Sequence, residues 1–339
     1  MTITITPVGA ADEAAVQQAY QVGAAQVAAD EPDFPPLCRQ RFTALLRHPM
    51  PGYETRMLLA RIDGEPAGFL RLDLPQLDNT ENASAELIVH PAQRRRGVGR
   101  ALAEHGLGLL RERGRKRVSA MSRAELAGEP GRRSPGNAFA VAMGAVDALT
   151  DVRRRLDTAD LDQAKLDALR ADARDRSTGY QVLCWRGYTP DDLAADVAYL
   201  DGRLLADAPM GDLAWEPEKV DADRLRGTEL ALDARGRRRY HVGVRHEASG
   251  RLVAWTLLDV GASADWHSFQ QITIVDPEHR GHRLGLLAKI ENLRHLLAHE
   301  PGVRVIDTFN AASNDHMIAI NEQLGFRVQD RWSNWQLTI

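Results

Sequence analysis

The residues best suited to chemistry lie in one short run, Val89-His90-Pro91-Ala92-Gln93-Arg94-Arg95-Arg96-Gly97-Val98-Gly99-Arg100. It reads as a strand end, a turn and a helix start. That order builds an anion site. Backbone N–H groups at a helix N-terminus converge on a phosphate and the helix dipole favours negative charge. Glycines admit close approach, and arginines add bidentate contacts. A second run of the same design, Arg280-Gly281-His282-Arg283-Leu284-Gly285, follows Ile274 and Val275. It carries arginine where the first run has its middle glycine, Gly97.

The two runs belong to a long internal repeat. Gly64 and Gly250, Asp73 and Asp259, Val89 and Val275, Pro91 and Pro277, Arg94 and Arg280, and Gly99 and Gly285 all stand at one constant offset of 186 residues. A constant offset means two copies of one unit. ITIT and YQVLCW open the copies as strand-like runs, the second assignable to either sheet. AADEAAVQQAY and TPDDLAADVAYL follow as helices, with Thr189 capping the latter and Pro190 in its first turn. Hairpins come next, MLLARI-DGE-PAGFLRLDL and YHVGVRH-EASG-RLVAWTLLDV, each with glycine at its turn. The helices VGRALAEHGLGLLRER and RLGLLAKIENLRHLLAH lead away from the two anion loops, the second with an apolar stripe of Leu286, Ile290, Leu293 and Leu297. Residues 161–179 read as a charged, exposed helix inserted late in the first copy, and residues 207–221 as an irregular connection. The expected fold is mixed α/β in two tandem domains, 1–178 and 179–339, each a twisted sheet flanked by helices.

Composition excludes several classes. The chain has 339 residues with 44% hydrophobic and 27% charged side chains, enough for two globular cores. No apolar run reaches membrane-spanning length, and the N-terminus lacks the pattern of a secretory signal, so the expected compartment is the cytoplasm. A net charge of -4 gives no general attraction to nucleic acid or to an anionic membrane. The clusters Arg111-Arg113-Arg115-Lys116-Arg117 and Arg235-Arg237-Arg238-Arg239 read as solvated helix ends and turns, with no interleaved aromatics. Cys38 and Cys184 stand far apart without Cys or His neighbours at ligand spacing, so they read as buried, reduced thiols with no metal site.

The loop Arg94-Arg95-Arg96-Gly97-Val98-Gly99 resembles the signature R/Q-x-x-G-x-G/A of the GNAT superfamily of acyl-CoA N-acyltransferases. The second copy adds Val305-Ile306-Asp307-Thr308-Phe309-Asn310, then Asn314 and a helix ending in Leu324-Gly325-Phe326, which resemble the family's later strand, asparagine and helix. In the first copy this element is weaker, with Gly144 followed by Ala145. The whole chain is similar to tandem two-domain bacterial members of the family, the mycothiol-synthase-like proteins among them.

The resemblance implies direct acetyl transfer from acetyl-CoA to an amine, with no covalent enzyme intermediate. It assigns the pantetheine arm to Ile88 and Val89, or to Ile274 and Val275. It assigns the pyrophosphate to residues 94–100 (Arg94, Arg95, Arg96, Gly97, Val98, Gly99 and Arg100), or to Arg280, Gly281, His282, Arg283, Leu284 and Gly285. Asn310 and Asn314 contact the cofactor or cap the following helix. Glu86, the one carboxylate on ASAELIV, is the candidate general base, with a solvent-facing glutamate as the competing reading. The offset puts Ile272 at that place in the second copy, where Asp259 or His267 would have to serve. The family often places a thiolate-protonating tyrosine where this chain has Ala140 and Asn321. The expected activity is acetylation of a small-molecule amine, with a protein acetyltransferase and a catalytically silent CoA sensor as alternatives.

Overall fold

The computed structural model describes residues 2–125 and 134–339. Its first copy comprises β1 (Ile3–Pro7), α1 (Glu13–Asp30), α2 (Arg39–Arg47), β2 (Tyr53–Ile62), β3 (Glu65–Pro75), β4 (Asn82–Val89), α3 (Val98–Glu112), β5 (Arg117–Glu125), α4 (Pro135–Ala142) and β6 (Val146–Asp157). After α5 (Gln163–Asp175), the second copy repeats the order as β7 (Tyr180–Arg186), α6 (Asp191–Gly202), α7 (Leu204–Asp207), α8 (Ala222–Ala234), β8 (Arg238–His246), β9 (Leu252–Gly261), β10 (Ala264–Val275), α9 (Leu284–His299), β11 (Val305–Ala311), α10 (Asp315–Gln323) and β12 (Arg327–Thr338).

Local chemistry accounts for these elements. Asp63 and Gly64, with φ of 50° and 94°, make the tight β2–β3 turn, which needs two left-handed residues. Asp12 caps α1 by accepting from Ala15 N, and Asp162 caps α5 by accepting from Lys165 N. Helix α6 starts one residue later than its sequence suggests, at Asp191. The Thr189 N–H is instead taken by the Glu229 carboxylate at 2.7 Å. The helix expected to be exposed, α5, buries Leu166 and Ala173 in one cluster with Leu286, Leu287, Ile290 and Leu293 of α9. First-copy sequence thereby covers a second-copy helix.

The sheets expected in the two copies are one sheet of twelve strands, ordered β1-β2-β3-β4-β5-β12-β6-β11-β10-β9-β8-β7. The order is symmetric about its centre. Each copy lends its last strand to the other: β12 lies beside β5, and β6 lies beside β11. Only β4–β5 and β10–β11 run parallel. At the centre, the wholly buried Arg153 of β6 joins Asp330 of β12 (3.0 Å), Asp307 of β11 (3.2 Å) and Asp33 of the α1–α2 loop (2.6 Å). Arg155 and His267 reach Asp307, and Arg123 reaches Asp330. Burial pushes the Asp307 carboxyl up, but hydrogen bonds from Arg155 and His267 and the charges of Arg153 and Arg155 outweigh it and hold the group at about 2.

Candidate active site

Both anion loops have the same backbone. Arg95 and Gly97 take φ of 63° and 86°, and Gly281 and Arg283 take 88° and 56°, so each loop turns on two left-handed residues at matching places. The copies have exchanged which of the two is glycine. Arginine in place of the middle glycine therefore leaves the second loop's shape intact. The first backward bond of α3 runs from Ala101 N to Gly97 O, and that of α9 from Leu287 N to Arg283 O. The N–H groups before those residues have no acceptor inside their helix and point out of its start.

The loops differ in what their arginines hold. In the first, Arg94 forms a two-pronged pair with Asp30 at the end of α1, and Arg95 and Arg100 carry no ion pair among the described residues. In the second, Arg280 pairs with Asp207 at 3.2 Å and Arg283 pairs with Asp172 of α5. The inserted helix thus supplies an internal counter-charge where the first loop stays open.

Strands β4 and β5 pair only from Asn82 to Ser84, so the β5-facing edge of β4 is unpaired from Ala85 to Val89. A cavity of about 2050 Å³ opens there, lined by the loop from Arg94 to Arg100, by Glu86, Ile88 and Val89, and by Ser119 to Ser122 of β5. The second copy supplies much of its far wall. Leu204 and Leu205 of α7, then Met210, Leu213 and Trp215 of the irregular connection, face into it. That connection is stitched to the first copy through Asn82 Nδ2 to Ala214 O and Asn79 to Glu216, and to β12 through Ala214 N donating to Gln336 Oε1.

Glu86 lines this cavity with its side chain 45% exposed and pairs with Arg71 at 3.0 Å. Its facing is set by a continuous β3–β4 register, Arg71 opposite Glu86 and Phe69 opposite Ile88, with no bulge in β4. A second carboxylate, Glu31 of the α1–α2 loop, lines the same cavity. Burial raises its pKa, with Asp30 and Glu86 adding to the effect, although a hydrogen bond from Gln26 and the charge of Arg123 oppose it. Sequence reading missed Glu31. An acid at a helix end carries no pattern, and long-range contacts of its loop, Asp33 with Arg153 and Arg155 and Asp30 with Arg94 and Arg123, bring it to the cleft.

The second copy closes the corresponding space. Strand β10 has a register shift between Gln270 and Thr273, so Gln271 and Ile272 together replace the place of Glu86. Ile272 and Ile274 are buried in one apolar cluster with Trp185, Trp255 and residues of α6 and α8. His241 stacks between Trp185 and Trp255, accepts from Trp255 Nε1 and sits 3.1 Å from Gly187 O. On the α9 side, Lys289 stands at the offset of Ala103, and the void lined by Lys289, Leu324 and Phe326 measures about 10 Å³.

The alternative bases are engaged elsewhere. Asp259 is buried against Arg237 at 2.6 Å, and His267 lies in the central network, 2.9 Å from Asp307. Asn314 caps α10 by accepting from Met317 N, and Asn310 accepts from Asn321 at 2.6 Å. Ala140 lines the first-copy cavity, and Asn321 is wholly buried. The two thiols depart from expectation: Cys184 is exposed, and Cys38 is half-buried at the cavity wall. The basic cluster from Arg235 to Arg239 also departs from its solvated reading. Arg235 and Arg239 are buried, and Arg237 is paired. Buried Arg115 likewise donates to the carbonyls of Pro75 and Thr80.

Residues 24–127 match the model of the Acetyltransferase (GNAT) family. The chain is similar to the mycothiol acetyltransferase of Thermomonospora curvata, 30% identical over 276 residues, which cover 80% of this chain and 79% of the relative. It is 28% identical over 283 residues to that of Actinosynnema mirum, covering 81% and 80% of the two chains. Among solved structures, a tandem GNAT protein from the clavulanic acid biosynthesis pathway, without AcCoA, superposes with a TM-score of 0.83 at 32% identity. The match covers 99% of this chain and 98% of that one.

Proposed function

From the premise that this chain belongs to the GNAT acetyltransferase family and is an N-acetyltransferase, we propose that its first copy transfers acetyl from acetyl-CoA to a small-molecule amine. The observation that carries this reading is the cavity that joins an open anion loop, an unpaired strand edge and several carboxylates, Glu86 and Glu31 among them.

The residues present fit the cofactor. The N–H groups from Arg95 to Arg100 with the unpaired Arg95 and Arg100 suit a pyrophosphate, and the free edge of β4 at Ile88 and Val89 suits the amides of a pantetheine arm. The second loop, residues 280–285, with Ile274 and Val275 before it, has the same backbone, but its arginines are already neutralised. Asn310 and Asn314 are held in contacts within the protein.

Acetyl-CoA, when bound, supplies the thioester carbonyl to which a neutral amine adds. Most alkyl amines are protonated at neutral pH, so the site must remove a proton. Glu86, lining the cavity and steadied by Arg71, takes that proton directly or through water. An N–H of the unpaired β4 edge would donate to the carbonyl oxygen as it gains charge, and the C–S bond would break to release CoA thiolate, which takes its proton from water. The wall of Leu205, Leu213 and Trp215 narrows the acceptor end, which favours a compact acceptor over a folded protein. The relatives' name puts a mycothiol-related amine among the acceptors to be tried first.

The test is acetyl-CoA turnover across a panel of amines, followed by Glu86→Gln on whichever is acetylated. We expect kcat/KM to fall by ~100-fold with CoA affinity intact, as for a lost general base. Wild-type kinetics in that variant would remove Glu86 from the mechanism and leave Glu31 to be tested by the same substitution.

A further inference from the structure

Four arginines face the acceptor end of the first-copy cavity: Arg41 of α2, Arg71 of β3, and Arg235 and Arg237 from the turn after α8. Two are neutralised. Arg71 pairs with Asp73 and Glu86 at 3.0 Å, and Arg237 pairs with Asp259 at 2.6 Å. The other two are not. Arg41 is exposed and has no hydrogen bond or ion pair among the described residues, although it lies within electrostatic range of Arg71, Arg237, Glu86 and Asp259. Arg235 is only 8% exposed, spends one Nη on the carbonyl of His48 at 2.9 Å, and has a buried Nε with no partner.

A guanidinium buried without a carboxylate is costly, because it loses hydration and gains no ion pair. Burial and the neighbouring charges of Arg41 and Arg71 push the Arg235 pKa down to about 10 against the opposing charge of Asp73. Charge repulsion among these side chains is relieved by an oxyanion with several acceptor lone pairs, the complement of two guanidinium forks.

Resting on the acetyltransferase reading above, we infer that Arg41 and Arg235 form an anion subsite, so that the acceptor amine also carries a carboxylate or a phosphate. The subsite lies beside Glu86, so the amine and the anionic group of one small molecule can reach both. It is also a joint product of the two copies, with Arg41 from the first and Arg235 from the second. The closed second copy thereby contributes to the specificity of the open one.

The experiment separates this inference from the reading it rests on. Inorganic phosphate and succinate are each titrated into the full-length protein already saturated with CoA, so that the loop at residues 94–100 is filled, and binding is followed by calorimetry. We expect saturable binding of at least one anion, weakened by ~10-fold or more in Arg41→Gln, a substitution on the accessible side of the cluster, with CoA affinity unchanged. Arg235→Gln should do the same where it folds. Response to phosphate alone or to succinate alone identifies the group. In turnover assays, O-phosphoethanolamine against ethanolamine, and glycine against glycinamide, should favour the anionic member by a similar factor. Turnover of neutral amines with no saturable anion binding, or binding that Arg41→Gln leaves unchanged, overturns the subsite and leaves the acetyltransferase standing. Anion binding without turnover of any amine does the reverse.

Discussion

The two copies share a loop backbone to within small changes of φ, yet the first loop lines a cavity of about 2050 Å³, whereas the void of about 10 Å³ beside Lys289 touches no residue of the second loop. The difference is made by a few substitutions that alter what fills the space. Glu86 on a regular strand faces a cleft, whereas a bulge and Ile272 at the same place feed an apolar core. Ala103 leaves room beside α3, and Lys289 occupies it beside α9. On the proposed reading, duplication has conserved the scaffold and relieved one copy of its site, and second-copy residues wall the other. Loop geometry is thus a poor guide to which copy works, and the space in front of the loop is a better one.

The comparison breaks if the copies behave as separate units. Their exchanged last strands and the Arg153 network predict that they do not. Arg153→Ala leaves Asp33, Asp307 and Asp330 short of a shared cation in a buried setting, which costs about 3–5 kcal/mol. Urea unfolding of the variant, followed by both circular dichroism and tryptophan fluorescence, should show one transition moved as a whole. Two transitions, only one of them shifted, would return the halves to independence.

Next in size is the loop itself. Gly99→Glu sets a carboxylate at the start of α3, where the pyrophosphate is proposed to lie, and should weaken CoA binding by ~100-fold through charge repulsion. Calorimetry of the wild type should give one CoA per chain. A second site that survives Gly99→Glu would place binding at residues 280–285 and undo the assignment of the first copy.

Much of this was legible before the structure. The constant offset, the two loops, the hairpin glycines and the helix starts are local signals, and each maps onto an element. The exchange of β6 and β12 was not, because both strands pair with residues far away in sequence and their patterns fit either neighbour. The bulge in β10 was also hidden, so the offset equates Glu86 with Ile272 where the register divides the place between Gln271 and Ile272. The arginines after α8 looked like a solvated turn because charge runs usually are. Only the docking of α2 against α8, with Gln40 Nε2 donating to Ala234 O, shows that they face a cavity.

A third test concerns the plug in the second copy. Burial holds His241 neutral down to about 3, against 6.5 for a free imidazole. Between those values the unfolded chain binds the proton and the folded one does not, so stability rises with pH across the window and is lost as pH falls below 6.5. Between pH 7 and pH 5 this group alone should cost roughly 2 kcal/mol. His241→Gln, which keeps an acceptor for Trp255, should flatten that part of the profile. Asp307 acts in the same direction at lower pH, since its stabilising charge is lost as pH falls from about 4 towards 2. An unchanged slope in His241→Gln would mean that water reaches the stack and the second copy is less closed than its side chains indicate.

The smallest effect is the sharpest comparison, because it makes one change at matching places in the two loops. Arg95 and Arg283 both hold left-handed backbone, which costs a non-glycine residue ~1 kcal/mol. Arg283→Gly removes that strain but adds the entropy of a freer unfolded chain and loses the half-exposed pair with Asp172. Stability should therefore rise by no more than ~0.5 kcal/mol, with CoA affinity unchanged. Arg95→Gly removes the same strain with no ion pair to lose, so its gain in stability should be the larger of the two. It also withdraws a cation from the proposed pyrophosphate site, and CoA affinity should fall by ~10-fold. Thermal melts and calorimetry on the two variants thus read strain and binding separately. Equal losses of CoA affinity in both would mean that the second loop is a working site despite its paired arginines, and no loss in either would move the pyrophosphate away from both loops.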